Sequence, residues 1–85
     1  MKVIEYEKYE SYLGKLIDVQ HPLDYEEWHD PRSKNIYADK LLLNPGLYLK
    51  KNETYYIMCR KGTLSRKVVR VLTFYGYDVV LVKNF

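Results

Sequence analysis

Apolar residues fall in short runs along this chain, and their spacing changes from run to run. Lys2 to Ile4 reads as a short strand, and Leu16 to Val19 is a compact apolar run suited to a buried one. Glu53 to Cys59 and Asp78 to Val82 repeat that pattern, and Asn35 to Tyr37 gives a shorter version of it. Between these runs the spacing becomes helical. Glu5 to Leu13 places Tyr6, Tyr9 and Leu13 on one side before Gly14, which predicts a helix. Leu23 to His29 predicts a short helix capped by Asp24 and stopped by Pro31, and Asp39 to Leu43 a turn or two that halts at Asn44-Pro45-Gly46. The strongest periodicity lies in Thr63 to Tyr75, where Leu64, Val68, Leu72 and Tyr75 recur at spacings of four, four and three, with Val69 widening the stripe and Gly76 as the stop. Strands apolar on both sides, alternating with helices, predict an α/β domain with a mostly parallel central sheet flanked by helices on both faces. No linker, repeat or low-complexity segment divides residues 1–85, which read as a single domain.

Composition narrows the class. Eighty-five residues with 47% in the hydrophobic set suffice for one modest core. One cysteine makes no internal disulfide, and no apolar run resembles a signal peptide or a membrane span, so a reducing, cytoplasmic setting is expected and a membrane partner is not. The net charge of +3 hides an asymmetry. Residues 1–30 hold eight acids and three bases, whereas residues 31–85 hold three acids and eleven bases. No Asp or Glu lies between Glu53 and Asp78, a stretch that contains Arg60, Lys61, Arg66, Lys67 and Arg70. A positive surface there would concentrate small anions or an acidic partner; nucleic acid is the weaker possibility, because no ribonucleoprotein-type motif accompanies the charge.

The candidate chemistry sits inside that basic stretch. Cys59, the only cysteine, ends the third long apolar run and leads into Arg60-Lys61-Gly62-Thr63-Leu64-Ser65 and the strongest helix. In a parallel sheet, ligands bind outside the carboxyl ends of the strands. Free N–H groups and the dipole at a helix N-terminus form an anion cradle, and cationic neighbours favour the thiolate. A nucleophilic Cys59 fits this setting. So does a small buried hydrophobe at a strand end, and the residues alone leave both readings open. His21 and His29 match no zinc-ligand spacing and there is no second cysteine, so neither a metal nor a cofactor is expected. His29 is expected to be a structural hydrogen-bonder.

The run from Tyr55 to Phe74 resembles the active-site segment of rhodanese-like sulfurtransferases, in which a cysteine ends the fourth strand and a glycine follows three residues later. Cys59-Arg60-Lys61-Gly62-Thr63 is similar to the loop of the thiosulfate-using members, where the cysteine precedes Arg-Lys-Gly. Leu16-Ile17-Asp18-Val19-Gln20 looks like the family's Asp-Val-Arg strand, and Tyr25-Glu26 lies where the family has an acidic-aromatic turn. His29-Asp30-Pro31-Arg32-Ser33-Lys34-Asn35-Ile36 resembles its His-Ile-Pro-Gly-Ala-Ile-Asn-Ile segment, and Gly76-Tyr77-Asp78-Val79-Val80 its strand after the catalytic helix. The departures are Gln20 in place of an arginine, Asp30 and Arg32 in place of an apolar residue and a glycine, and a finish at Lys83-Asn84-Phe85 where members continue with Gly-Gly and a further helix. The expected domain is therefore shortened at the C-terminus, with one sheet face less well covered.

The resemblance implies a sulfurtransferase whose catalytic Cys59 takes the outer sulfur of thiosulfate or another persulfide donor and passes it to a thiol or cyanide. It implies that Arg60 and Lys61 attract the anionic donor, that Gly62 allows the loop its bend, and that Thr63, Leu64 and Ser65 complete the substrate-binding loop. Thr63 and Ser65 serve equally well as helix caps. Phosphatases and arsenate reductases on this scaffold end the loop with an arginine that clamps the oxyanion; Leu64 stands there instead, which argues against phosphoryl chemistry. A protein sulfur donor or acceptor suits the same loop, and of the ten tyrosines any left exposed, with Tyr48, Tyr55, Tyr56, Tyr75 and Tyr77 as candidates, would favour a protein partner or a homodimer. The alternative is a catalytically weak module of the same fold that binds a protein partner through its basic Arg60 to Arg70 face.

Overall fold

Five strands form one sheet in the order β1-β5-β4-β2-β3, and every neighbouring pair runs parallel. The computed structural model describes residues 1–84; the expected finish at Phe85 falls outside them. The strands are β1 (Lys2–Glu5), β2 (Lys15–Asp18), β3 (Ser33–Asn35), β4 (Thr54–Met58) and β5 (Asp78–Lys83), and the α-helices are α1 (Pro22–Glu27), α2 (Ala38–Leu43) and α3 (Thr63–Phe74). β4 lies at the centre, with Tyr55, Tyr56, Ile57 and Met58 all buried, as its unbroken apolar run predicts.

Because side chains alternate across a strand, the sheet feeds two separate cores. On one face Ile17, Tyr55, Ile57, Val79 and Leu81 pack under α2 and α3 through Leu41, Val68, Val69 and Leu72. On the other, Leu16, Tyr56, Met58, Val80 and Val82 are covered by Tyr9, with Ile4, Tyr6 and Leu13 around it. Helical cover is therefore unequal: α-helices on the first face, and short 3-10 helices at Tyr6–Lys8 and Ser11–Leu13 on the second.

Those 3-10 turns replace the single helix expected over Glu5 to Leu13. The segment must pass from β1 across β5 and β4 to β2, about 14 Å at ordinary strand spacing, while also returning along the sheet. A continuous α-helix, rising only about 1.5 Å per residue, is too short for that path. Extended residues at Glu5, Tyr9 and Glu10 supply the reach. The Tyr9 hydroxyl donates to the Gly14 carbonyl at 2.6 Å, and a Cβ on Gly14 would stand 2.5 Å from the Thr54 carbonyl oxygen, so the segment can lie close against β4 only with glycine there.

Three further boundaries differ from expectation. α1 is capped by His21, whose Nδ1 accepts the Leu23 N–H at 3.1 Å, with Pro22 at the first helical position; Asp24 lies inside the helix. β3 is Ser33–Asn35 instead of Asn35 to Tyr37, because pairing with Leu16, Ile17 and Asp18 begins as soon as the turn at Asp30 delivers Ser33. α3 buries Ser65, Val68, Val69 and Leu72, with Leu64 half-buried, whereas Tyr75 is exposed just before Gly76 turns the chain at φ 89°.

Candidate functional site

β4 delivers Cys59 to the carboxyl edge of the sheet, one residue beyond its last strand position. The side chain is only 3% exposed. Three turn residues, Arg60 to Gly62, then lead into α3, whose first N–H groups have no acceptor within the helix. The sulfur takes over that role. Sγ accepts the N–H of Gly62 at 3.2 Å and that of Ser65, the third residue of α3, at 3.1 Å. A sulfur with two backbone donors aimed at it, on the positive end of a twelve-residue helix, is placed where negative charge is favoured.

Ser65 completes the arrangement. Its Oγ lies 3.2 Å from Sγ and 3.1 Å from the Gly62 carbonyl oxygen. In the thiol form S–H donates to Oγ while the hydroxyl donates to the carbonyl; once the sulfur loses its proton, the hydroxyl can rotate and donate to it. Ser65 is fully buried, so it holds the sulfur and does not reach a ligand directly. The cap expected of Thr63 or Ser65 is absent: Gly62 is the N-cap, without a side-chain bond. Gly62 adopts φ 81°, and a Cβ there would meet nothing within 4 Å, so the requirement for glycine is one of backbone angle and not of space.

Two clefts open on either side of this loop. The larger, about 450 Å³, is bounded by Cys59, Arg60, Lys61, Thr63 and Leu64 on one wall and by Gln20, His21, Asp24 and Tyr37 on the other. The smaller, about 280 Å³, joins Cys59, Arg60, Lys61 and Gly62 to Arg66 and to Lys83 and Asn84 at the end of β5. Cys59 and the loop residues Arg60 to Leu64 thus border open space. Arg60 lies 4.0 Å from Glu27 of α1. Leu64 packs half-buried against the core.

The opposite wall of the larger cleft was not anticipated from sequence. Gln20 and His21 come two and three residues after β2, which pairs with β4, and Tyr37 two residues after β3; the strand order places all of them beside Cys59. The His21 and Tyr37 rings meet edge-on with centroids 5.3 Å apart. Beneath them Asp18 is fully buried, and its carboxylate accepts the Gln20 N–H at 2.9 Å and Gln20 Nε2 at 2.7 Å. Burial pushes the Asp18 carboxyl up, against the downward pull of the Gln20 bonds. Gln20 thus supplies a neutral partner where the family resemblance expects an arginine. His29 borders neither cleft; its ring stacks on Tyr25 at 3.8 Å and its Nδ1 lies 2.6 Å from the Tyr25 carbonyl oxygen, the structural role expected of it.

A model of the rhodanese-like domain matches residues 5–84. The chain belongs to the rhodanese-like domain family. No curated protein matches it. Among solved structures, a rhodanese-like domain protein from Staphylococcus aureus is 31% identical, with a TM-score of 0.85 over 99% of this chain and 86% of that one. The Staphylococcus saprophyticus protein SSP1007 is 26% identical, with a TM-score of 0.88 over 99% and 88% of the two chains. A rhodanese from E. coli, solved with anions, is 26% identical, with a TM-score of 0.69 over 81% of this chain and 82% of that one. The family supports membership among sulfurtransferase-type domains, and no helix among the described residues is long and apolar enough to cross a membrane.

Proposed function

We propose that the protein is a sulfurtransferase that carries sulfane sulfur on Cys59. The observation that carries this reading is the pair of backbone N–H groups, from Gly62 and Ser65, aimed at a buried sulfur that nevertheless borders two clefts. In the first step the Cys59 thiolate attacks the outer sulfur of thiosulfate. The new S–S bond forms on Cys59, the old one breaks, and its electron pair leaves on sulfite. Arg60 and Lys61, both exposed at the cleft mouths, draw in the dianion and offset the charge of the departing sulfite. That the E. coli relative was solved with anions fits a loop built for them. In the second step a thiol or cyanide takes the terminal sulfur and returns the electron pair to Cys59.

The test is intact-mass spectrometry after incubation with thiosulfate. Wild type gains one sulfur atom and Cys59→Ser gains none; an unmodified wild-type mass overturns the reading. Thiocyanate release on adding cyanide then distinguishes turnover from labelling. A second reading, a binding module for an acidic protein partner, is favoured by Arg66, Lys67 and Arg70, which are exposed on the outer side of α3 with no ion pair among the described residues. Salt-sensitive partner binding that survives Cys59→Ser, without sulfur uptake by wild type, would select it.

A further inference from the structure

The two clefts beside Cys59 differ in charge. The smaller is walled by Arg60, Lys61, Arg66 and Lys83 with no acid among its described lining residues, although Glu5 behind it lies 4.0 Å from Lys83 and accepts Asn84 Nδ2; the excess of cations is a setting for a compact anion such as thiosulfate or sulfite. The larger shares the Arg60-Lys61 wall but faces Asp24 of α1 across the opening. Asp24 is exposed and makes no ion pair among the described residues, so its carboxylate is available to a ligand. Nearby, the bond from Leu23 N–H to His21 Nδ1 leaves the proton of the neutral ring on Nε2, a donor at the same cleft. A cleft with cations on one wall and a free carboxylate on the other fits a molecule that carries both charges.

We propose that the larger cleft is the acceptor subsite, and that it selects a small zwitterionic thiol whose carboxylate lies toward Arg60 and Lys61 and whose ammonium group lies toward Asp24. This inference rests on the persulfide reading and names the acceptor class for it. The acceptor thiol gives its proton to the terminal persulfide sulfur and attacks that sulfur as thiolate. A bond forms between the acceptor sulfur and the terminal persulfide sulfur, the bond from that sulfur to Cys59 Sγ breaks, and Cys59 recovers the electron pair as thiolate. No external oxidant or reductant is required. Asp24 is a specificity-determining residue in this scheme, since it reads the ammonium group and takes no part in sulfur transfer.

The experiment separates the two half-reactions. The protein is loaded with thiosulfate, excess donor is removed, and discharge of the persulfide is timed with cysteine, with 3-mercaptopropionate, which lacks the ammonium group, and with cysteamine, which lacks the carboxylate. Dividing variant rates by wild-type rates for each thiol cancels intrinsic thiol reactivity. Asp24→Asn lowers the cysteine-to-mercaptopropionate rate ratio about threefold, the scale of an exposed ion pair. Asp24→Lys lowers it further and disfavours cysteamine in the same way. Normal loading with an unchanged ratio in both variants overturns this proposal and leaves the sulfurtransferase reading standing. Failure of wild type to load overturns both.

Discussion

Two polar clusters in this small domain are built in opposite ways. At Asp30, every strong group is used on its neighbours. The buried carboxylate accepts Arg32 N–H at 2.8 Å, Arg32 Nε at 3.0 Å and Nη2 at 2.9 Å, together with the Tyr6 hydroxyl. Arg32 Nη1 donates to the Tyr9 carbonyl at 3.2 Å, and the guanidinium lies over the Tyr9 ring, 4.9 Å from its centroid. The Arg32 bonds hold the Asp30 carboxyl far below the usual carboxylate range. At Cys59, in contrast, two N–H groups converge on one sulfur, Arg60 only approaches the exposed Glu27 at 4.0 Å, and Lys61 has no ion pair among the described residues. The first cluster ties the Tyr6–Leu13 segment over the second sheet face; the second leaves its charge for something outside the chain. Satisfied polar groups anchor, and unsatisfied ones bind.

The two clusters therefore fail differently. Cys59→Ser abolishes sulfur uptake completely while the urea midpoint stays near wild type, because serine keeps an acceptor for the Gly62 and Ser65 N–H groups. Arg32→Ala does the reverse. It leaves Asp30 as a buried carboxylate without its cation, and costs about 2 kcal/mol, below the usual range for a buried pair because Arg32 itself is partly exposed. Sulfur uptake per folded molecule is retained. Equal loss of both properties in either variant would break the distinction.

Acid titration sharpens the Asp30 half of the contrast. Asp30 has a folded pKa below its unfolded value, so its contribution to stability is present above the unfolded value of about 3.9 and is lost as the pH falls toward the folded one. The stability gap between wild type and Arg32→Ala should be full at neutral pH and narrow as the pH drops below about 4. Urea unfolding at a series of pH values measures it. A gap that stays constant or widens in acid would show that Arg32 acts by packing on Tyr9 and not through the carboxylate.

Ser65 probes the other cluster at smaller scale. Ser65→Ala removes the hydroxyl that can turn to the thiolate while keeping its backbone N–H, and should slow persulfide formation about tenfold, the equivalent of about 1.4 kcal/mol for a hydrogen bond to a charged group. Single-turnover kinetics with thiosulfate give the rate. No slowing would mean that the two N–H donors suffice and that the hydroxyl serves only the thiol form.

Much of this was legible in the sequence, for identifiable reasons. The apolar runs at Leu16, Tyr55 and Val79 exceed what a half-exposed strand needs, and they announced a buried parallel sheet. Cys59 to Ser65 lies in one continuous stretch, so its loop could be read directly. What stayed hidden depends on contacts distant in sequence. The tyrosine spacing at Tyr6, Tyr9 and Leu13 suits a helix, but the crossover from β1 to β2 needs extended chain, and Tyr9 is buried by β4 and not by a helical face. Asp30 and Arg32 look like ordinary surface charges until Tyr6, twenty-four residues away from Asp30, closes on them. The wall at His21, Asp24 and Tyr37 exists only because strand order sets β2 beside β4. Local pattern reveals an element, whereas its neighbour across the sheet decides what it faces.

The smallest effect tests whether the loop geometry at Cys59 is held as described. Gly62 caps α3 at φ 81° with open space where a Cβ would project, so substitution carries an angular cost without a collision. Gly62→Ala should therefore cost about 1 kcal/mol, the usual penalty for a left-handed L-residue. Asn, which tolerates that conformation, should cost less than Ala, and a β-branched Val more. Thermal or urea unfolding of the three variants ranks them. If the order follows side-chain volume instead, with Asn above Ala, then space and not backbone angle limits the loop. The Gly62 N–H would then owe its aim at Cys59 Sγ to packing, and the contrast between a fully satisfied anchor and an open, backbone-held site would lose its firmest support.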